Sequence, residues 1–126
     1  MFQIDINSHK PIYEQVCEQT MHQISSGILK ENDRMPSVRH LSVQLGVNPN
    51  TIQRAYTDLC SKGVLYSVGG KGCFVAKNAK SCILKVAQSD LSEFGRYVEK
   101  MRIAGVTSQI LKEEIDKIYN GGADND

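Results

Sequence analysis

The stretch "LGVNPNTIQRAYTDL", residues 45–59, sets four hydrogen-bonding side chains at helical spacing. At ~100° per residue, Asn50, Gln53, Arg54 and Thr57 fall on one side, opposite Ile52, Ala55, Tyr56 and Leu59. Only one of the four is charged, whereas an ordinary solvated face carries Glu–Lys pairs. Amides, a hydroxyl and a guanidinium are the groups that pair with base edges and phosphates in a groove. Charge placement points the same way. Residues 34–77 hold Arg34, Arg39, Arg54, Lys62, Lys71 and Lys77 against the single acid Asp58, a local excess of +5 in a chain whose net charge is +1. Such an excess suits a polyanion partner.

Other chemistries find little support. No Ser-His-Asp set or zinc spacing is present, and "GGKG" lacks the following helix that a phosphate-cradling loop needs. Glu18 and His22 lie one helical turn apart, a pair far more often surface neighbours than metal ligands. Cys17, Cys60, Cys73 and Cys82 form no Cys-x-x-Cys and read as small hydrophobes in a reducing compartment. The chain is expected to be no enzyme and to carry no cofactor or metal. No apolar run approaches ~18 residues, and the N-terminus lacks a basic start followed by an apolar stretch, so a cytoplasmic location is expected.

The elements that position the polar face can be read outward from it. Asn48 suits a helix cap, and Pro49 occupies the first position, where no backbone donor is missed. Before it, Ser37 caps a short helix with Val38, Leu41 and Leu45 inward, ended by Gly46. Upstream, Ile12, Val16, Cys17, Ile24 and Ile28 share a helical face, with Pro11 in the first turn. Residues 2–6 read as a short strand or an extended arm, and residues 30–36 as a polar connection. After Gly63 the period becomes that of strands: "VLYSV" and "CFVAK" form a hairpin through Gly69, Gly70 and Gly72, with Lys71 at its tip. Two short helices, a tight turn and a hairpin make a winged helix-turn-helix. The expected class is mainly α with a small β-wing, this domain being joined to a two-helix C-terminal dimerisation region.

Residues 78–81 read as a linker. Beyond it, Leu91, Phe94, Val98 and Met101 recur at helical spacing, with Asp90 and Glu93 as a capping pair. Gly105 breaks the run, Thr107 or Ser108 starts a last helix, and Leu111, Ile115 and Ile118 share its face. Two such helices cannot bury their apolar faces alone, so that surface meets either the first domain or another subunit. The domains are expected at 1–78 and 79–121, with 122–126 disordered.

The run from Met35 to Lys77 closely resembles the DNA-binding domain of GntR-family bacterial transcription regulators. Pro-Ser-Val-Arg, Leu-Gly-Val, Asn-Thr, Arg-Ala-Tyr, Lys-Gly and Gly-x-Gly-x-Phe-Val appear in order. The resemblance spans residues 10–77, and "VNPNT" with the short tail resembles the YtrA-like branch. It implies DNA contacts at Arg39, Asn48, Asn50, Thr51, Gln53, Gly69 and Gly70. It also implies a homodimer held by the C-terminal helices on a palindromic operator, and control of a membrane-transporter operon, as a repressor. Pro49 stands where many members carry Arg, and His40 where an acid is usual. With no ligand domain, no small-molecule effector is assigned. The alternative is a winged-helix module that docks RNA or protein.

Overall fold

The computed structural model describes residues 2–124, with side chains through residue 121. In chain order it contains α1 (Ile12–Ser25), α2 (Val38–Leu45), α3 (Pro49–Ser61), β1 (Leu65–Val68), β2 (Gly72–Val75), α4 (Ala79–Ser89), α5 (Leu91–Ala104) and α6 (Ser108–Asp124). The chain divides into compact units at 1–87 and 88–126.

In the first unit, Val16, Cys17 and Ile24 of α1 join Leu41 of α2 and Ile52, Ala55, Tyr56 and Leu59 of α3 in one buried core. Thr20 is buried with them and satisfies its hydroxyl on the Val16 carbonyl at 2.8 Å. Pro11 stands just outside α1 as its cap, and its carbonyl accepts the Glu14 and Gln15 amides. Ile28, expected on the core face, is 59 % exposed. The helix stops at Ser25, and Gly27 at φ +85° turns the chain so that Leu29 goes inward instead. Of the two readings of residues 2–6, the extended arm holds. Its backbone bonds to side chains of α1: the Gln3 amide donates to Gln19 Oε1 at 2.7 Å and the Asp5 amide to Gln15 Oε1 at 2.9 Å.

The caps of α2 and α3 form as their sequences require. Ser37 Oγ accepts the His40 amide at 3.0 Å, and Gly46 ends α2 in the left-handed region at φ +68°. Asn48 Oδ1 accepts the Asn50 amide at 2.8 Å, with Pro49 opening α3.

The wing is antiparallel, pairing Leu65 with Val75 and Val68 with Gly72. Lys71 N–H donates to the Val68 carbonyl across the turn, where Gly70 takes positive φ, as does Gly72 beyond it; Gly69 does not. The polar connection of residues 30–36 has more structure than its composition suggests. Asn32–Met35 runs alongside β2, with the Asn32 amide donating to Val75 O, Val75 N–H to Asp33 O and Met35 N–H to Cys73 O. A buried Met35 anchors this edge in the core.

Residues 79–81 are not a linker: α4 begins at Ala79, which is buried, and Cys82 and Ile83 pack against the core. Cys82 Sγ lies 3.0 Å from where a Cβ on Gly63 would stand, and Gly63 has φ +79°. That position therefore admits only glycine without strain. The stretch after residue 78 thus holds three helices, not two.

In the second unit, Gly105 ends α5 at φ +99°, and Thr107 Oγ1 accepts the Ile110 amide to open α6. The expected Asp90–Glu93 capping pair does not form. Asp90 makes no capping bond, and Glu93 pairs with Arg96 at 2.7 Å. Backbone 122–124, expected to be disordered, continues α6, while 125 and 126 lie outside the described residues. Among the described residues, none after Ala79 is buried. Leu91 is 62 % exposed and Phe94 51 %, while Val98 and Leu111 are half-buried.

Candidate nucleic-acid interface

The exposed face of α3 carries Asn50, Gln53, Arg54 and Thr57, and Pro49 lets it begin without an unsatisfied backbone donor. Gln53 Nε2 donates to Thr57 Oγ1 at 3.2 Å one turn away. With Tyr13, Asp58 and Ser61 these four line an open groove of about 470 Å³. On its other flank Gln53 borders a second groove of about 240 Å³, shared with Ser37, Val38, Gly69 and Gly70. The wing turn thus comes beside the recognition face, and Gln53 stands where the two grooves meet. Thr51, at the start of the helix, is half-buried. Asn48 engages its Oδ1 in the cap, which leaves its Nδ2 for an outside acceptor.

Two ties fix α3. Tyr56, 1 % exposed, donates its hydroxyl to the Pro36 carbonyl at 2.7 Å. Arg54 lays its guanidinium 3.8 Å above the ring centroid of Tyr13 on α1. This turns Arg54 toward α1, on the side of α3 away from the wing groove, whose lining includes Gln53 but not Arg54.

The electrostatics leave the surface positive. Asp58, the one acid of the basic stretch, is engaged by Lys62 at 2.8 Å, and this hydrogen bond raises the Lys62 pKa. Among the described residues, the side chains of Arg39 and Lys71 have no ion-pair partner, and both are exposed. Arg34, part of the basic stretch, is not among the DNA contacts expected from the sequence. The bridge to Phe74 brings it beside the wing, with Nε 3.4 Å from the Cβ position of Gly72. Tyr13 was missed as well; only the contact between α1 and α3 brings it to the face.

Glu18 is paired with Lys10 at 2.7 Å, and among the described residues no three His, Cys, Asp or Glu converge as metal ligands. Burial pushes the Cys17 thiol up to about 12, helped by the nearby Asp58 carboxylate, and burial pushes Cys60 up to about 11. Among the described residues no helix is long and apolar enough to cross a membrane.

A capped polar helix held against a two-stranded wing over a basic surface defines a winged helix-turn-helix protein of the DNA-binding class. Residues 12–75 match the family of bacterial regulatory proteins called gntR. The chain is 35 % identical over 130 aligned residues to the HTH-type transcriptional repressor YtrA of Bacillus subtilis, covering all of both chains. A transcriptional antiterminator of Listeria monocytogenes shares the fold with a TM-score of 0.74 at 31 % identity, over 94 % of this chain and 90 % of that one. The DNA-binding domain of AraR, solved in complex with its operator ORX1, superposes with a TM-score of 0.53 at 39 % identity, over 60 % of this chain and 93 % of that one. The chain belongs to the GntR family: it is a transcriptional regulator with a DNA-binding helix-turn-helix, and not an enzyme.

Proposed function

We propose that this chain represses a bacterial operon by binding a palindromic operator as a homodimer in the cytoplasm. The observation that carries the reading is the junction at Gln53, where the neutral polar face of α3 meets the wing turn. Asn50, Gln53 and Thr57 supply amide and hydroxyl groups for base edges. Arg39, Arg54 and Lys71 supply cations for phosphates, and the Gly69–Gly70 backbone can approach a strand closely. Asn48 and Thr51 add polar groups at the start of the helix. The operator-bound AraR relative supports duplex DNA as the partner, and the repressor YtrA supports the regulatory sign.

The second unit supplies the reason for two copies. Leu91, Phe94, Val98 and Met101 on α5, and Leu111, Ile115 and Ile118 on α6, have no core of their own to enter. Apolar surface of that extent favours a partner helix face. Two recognition helices related by a two-fold axis then meet half-sites about one helical turn apart. Control of a membrane-transporter operon, which the resemblance to the YtrA-like branch implies, belongs to the same proposal.

Selection of bound fragments from the source genome tests the reading, since it yields operator and neighbouring genes together. Enrichment of fragments sharing an inverted repeat upstream of transporter genes is the expected result. Enrichment without any shared motif, or tighter binding to RNA than to duplex DNA, would overturn it.

A further inference from the structure

We infer that Tyr13, on α1 and outside the recognition helix, is a positioning residue that holds Arg54 as a DNA-phosphate contact; this rests on the DNA-binding reading above. Arg54 Cζ lies 3.8 Å from the Tyr13 ring centroid, a stacking distance at which the ring quadrupole attracts the cation. A guanidinium stacked by its face keeps its N–H edges free, and those edges match phosphate oxygens. Among the described residues Arg54 has no ion-pair partner: Asp58, a turn further along α3, is bound to Lys62, and Glu14, beside the ring, accepts the Tyr13 hydroxyl at 3.4 Å.

Tyr13 is itself held firmly. It is the second residue of α1, half-buried and packed on the core. The start of that helix is clasped by Gln15, whose Nε2 donates to the Asp5 carbonyl at 3.0 Å and the Lys10 carbonyl at 2.9 Å. A long cationic side chain on an exposed helix face otherwise samples many rotamers, and each must be given up on binding. Stacking on a fixed ring removes most of that freedom in advance. Because its charge and free N–H edges suit phosphate oxygens, the stacked Arg54 sets the register of the protein on the backbone, leaving sequence readout to the amides of Asn50 and Gln53.

The test is a double-mutant cycle on the full-length protein, with affinity for a mixed-sequence DNA duplex measured across a salt series. Arg54→Gln should weaken binding and lower the salt slope by about 1. Tyr13→Leu should weaken binding roughly two- to five-fold in the parent and not at all in the Arg54→Gln background. Tyr13→Phe, which keeps the ring, should match the parent. Arg54→Lys lies on the exposed face and tests the same point without touching the core. It should keep the salt slope, because the charge remains, and lose about as much affinity as Tyr13→Leu. Equal effects of Tyr13→Leu in both backgrounds, or parental affinity in Arg54→Lys, would overturn the inference while leaving DNA binding intact. A parent protein with no salt-dependent binding to duplex DNA would overturn the DNA-binding reading itself.

Discussion

The Tyr56 hydroxyl donates to the Pro36 carbonyl at 2.7 Å, joining the middle of the recognition helix to the bend that precedes α2. The bond crosses twenty residues of chain and is part-buried, at the floor of the wing groove; Tyr56 itself is almost wholly buried, and that burial raises its pKa and holds the hydroxyl neutral. Tyr56→Phe keeps the ring and leaves the carbonyl without its donor. The expected loss is about 1–2 kcal/mol, read from the denaturation midpoint. Unchanged stability would mean that water replaces the hydroxyl.

Arg39 and Lys71 are exposed cations on different elements with no ion-pair partner among the described residues. Arg39→Ala is expected to weaken operator binding by about 1–3 kcal/mol where it meets a base. Lys71→Ala should instead lower affinity for all duplexes and flatten the salt dependence. Salt titrations on the selected operator and a scrambled duplex separate the two. A folded Arg39→Ala variant with parental affinity would remove that residue from the site.

Asn50→Ala and Gln53→Ala should change which sequence is preferred, because amides pair with adenine edges. Gln53 should matter more, since it stands at the junction with the wing and is oriented by its bond to Thr57. Binding-site selection with each variant measures this directly. A parental motif from both would mean that the exposed face of α3 does not read bases.

Burial and the Asp58 carboxylate hold the Cys17 thiol protonated up to about 12, above its ordinary 9.0. The folded state therefore disfavours the thiolate. The sign follows: this group favours folding fully below pH 9, and its contribution declines as pH rises from there toward 12. A thiol reagent at neutral pH should modify Cys17 only on unfolding, with its sulfur placed 3.5 Å from the Ala55 carbonyl. Mass spectrometry of labelled native protein, showing Cys17 modified as fast as Cys82, would contradict that burial.

Much of the scaffold of the candidate site is legible in the sequence because its signals are local. Caps at Ser37 and Asn48, Pro49, and the period of α3 each depend on neighbours within one turn, and all form as read. What escaped depends on distant chain. The segment Asn32–Met35 reads as polar connection because its bonds go to β2, forty residues on. Helix α4 was hidden because "NAKS" is polar at its start, while Ala79 and Cys82 earn their place only against the core and Gly63. Ile28 was misplaced since helical period alone does not say where Gly27 will turn the chain. Tyr13 belongs to the same class: nothing in its own neighbourhood announces a cation two helices away.

The last prediction concerns the second unit. Phe94 is 51 % exposed on α5, among side chains of which none is buried. In a dimer built on this face the ring would be covered, and a carboxylate there would lose its hydration without gaining a partner. Phe94→Asp should therefore return the protein to a monomer, as read from molar mass by light scattering. The first unit has its own core and does not draw on this residue, so its thermal unfolding should be unchanged. On a full palindromic operator, affinity should fall by roughly 10²–10⁴, because the second contact is no longer intramolecular. On an isolated half-site it should stay as in the parent. A parent that is monomeric in solution, or a variant that binds the full operator as tightly as the parent, would show that the helices after residue 88 do not join two chains.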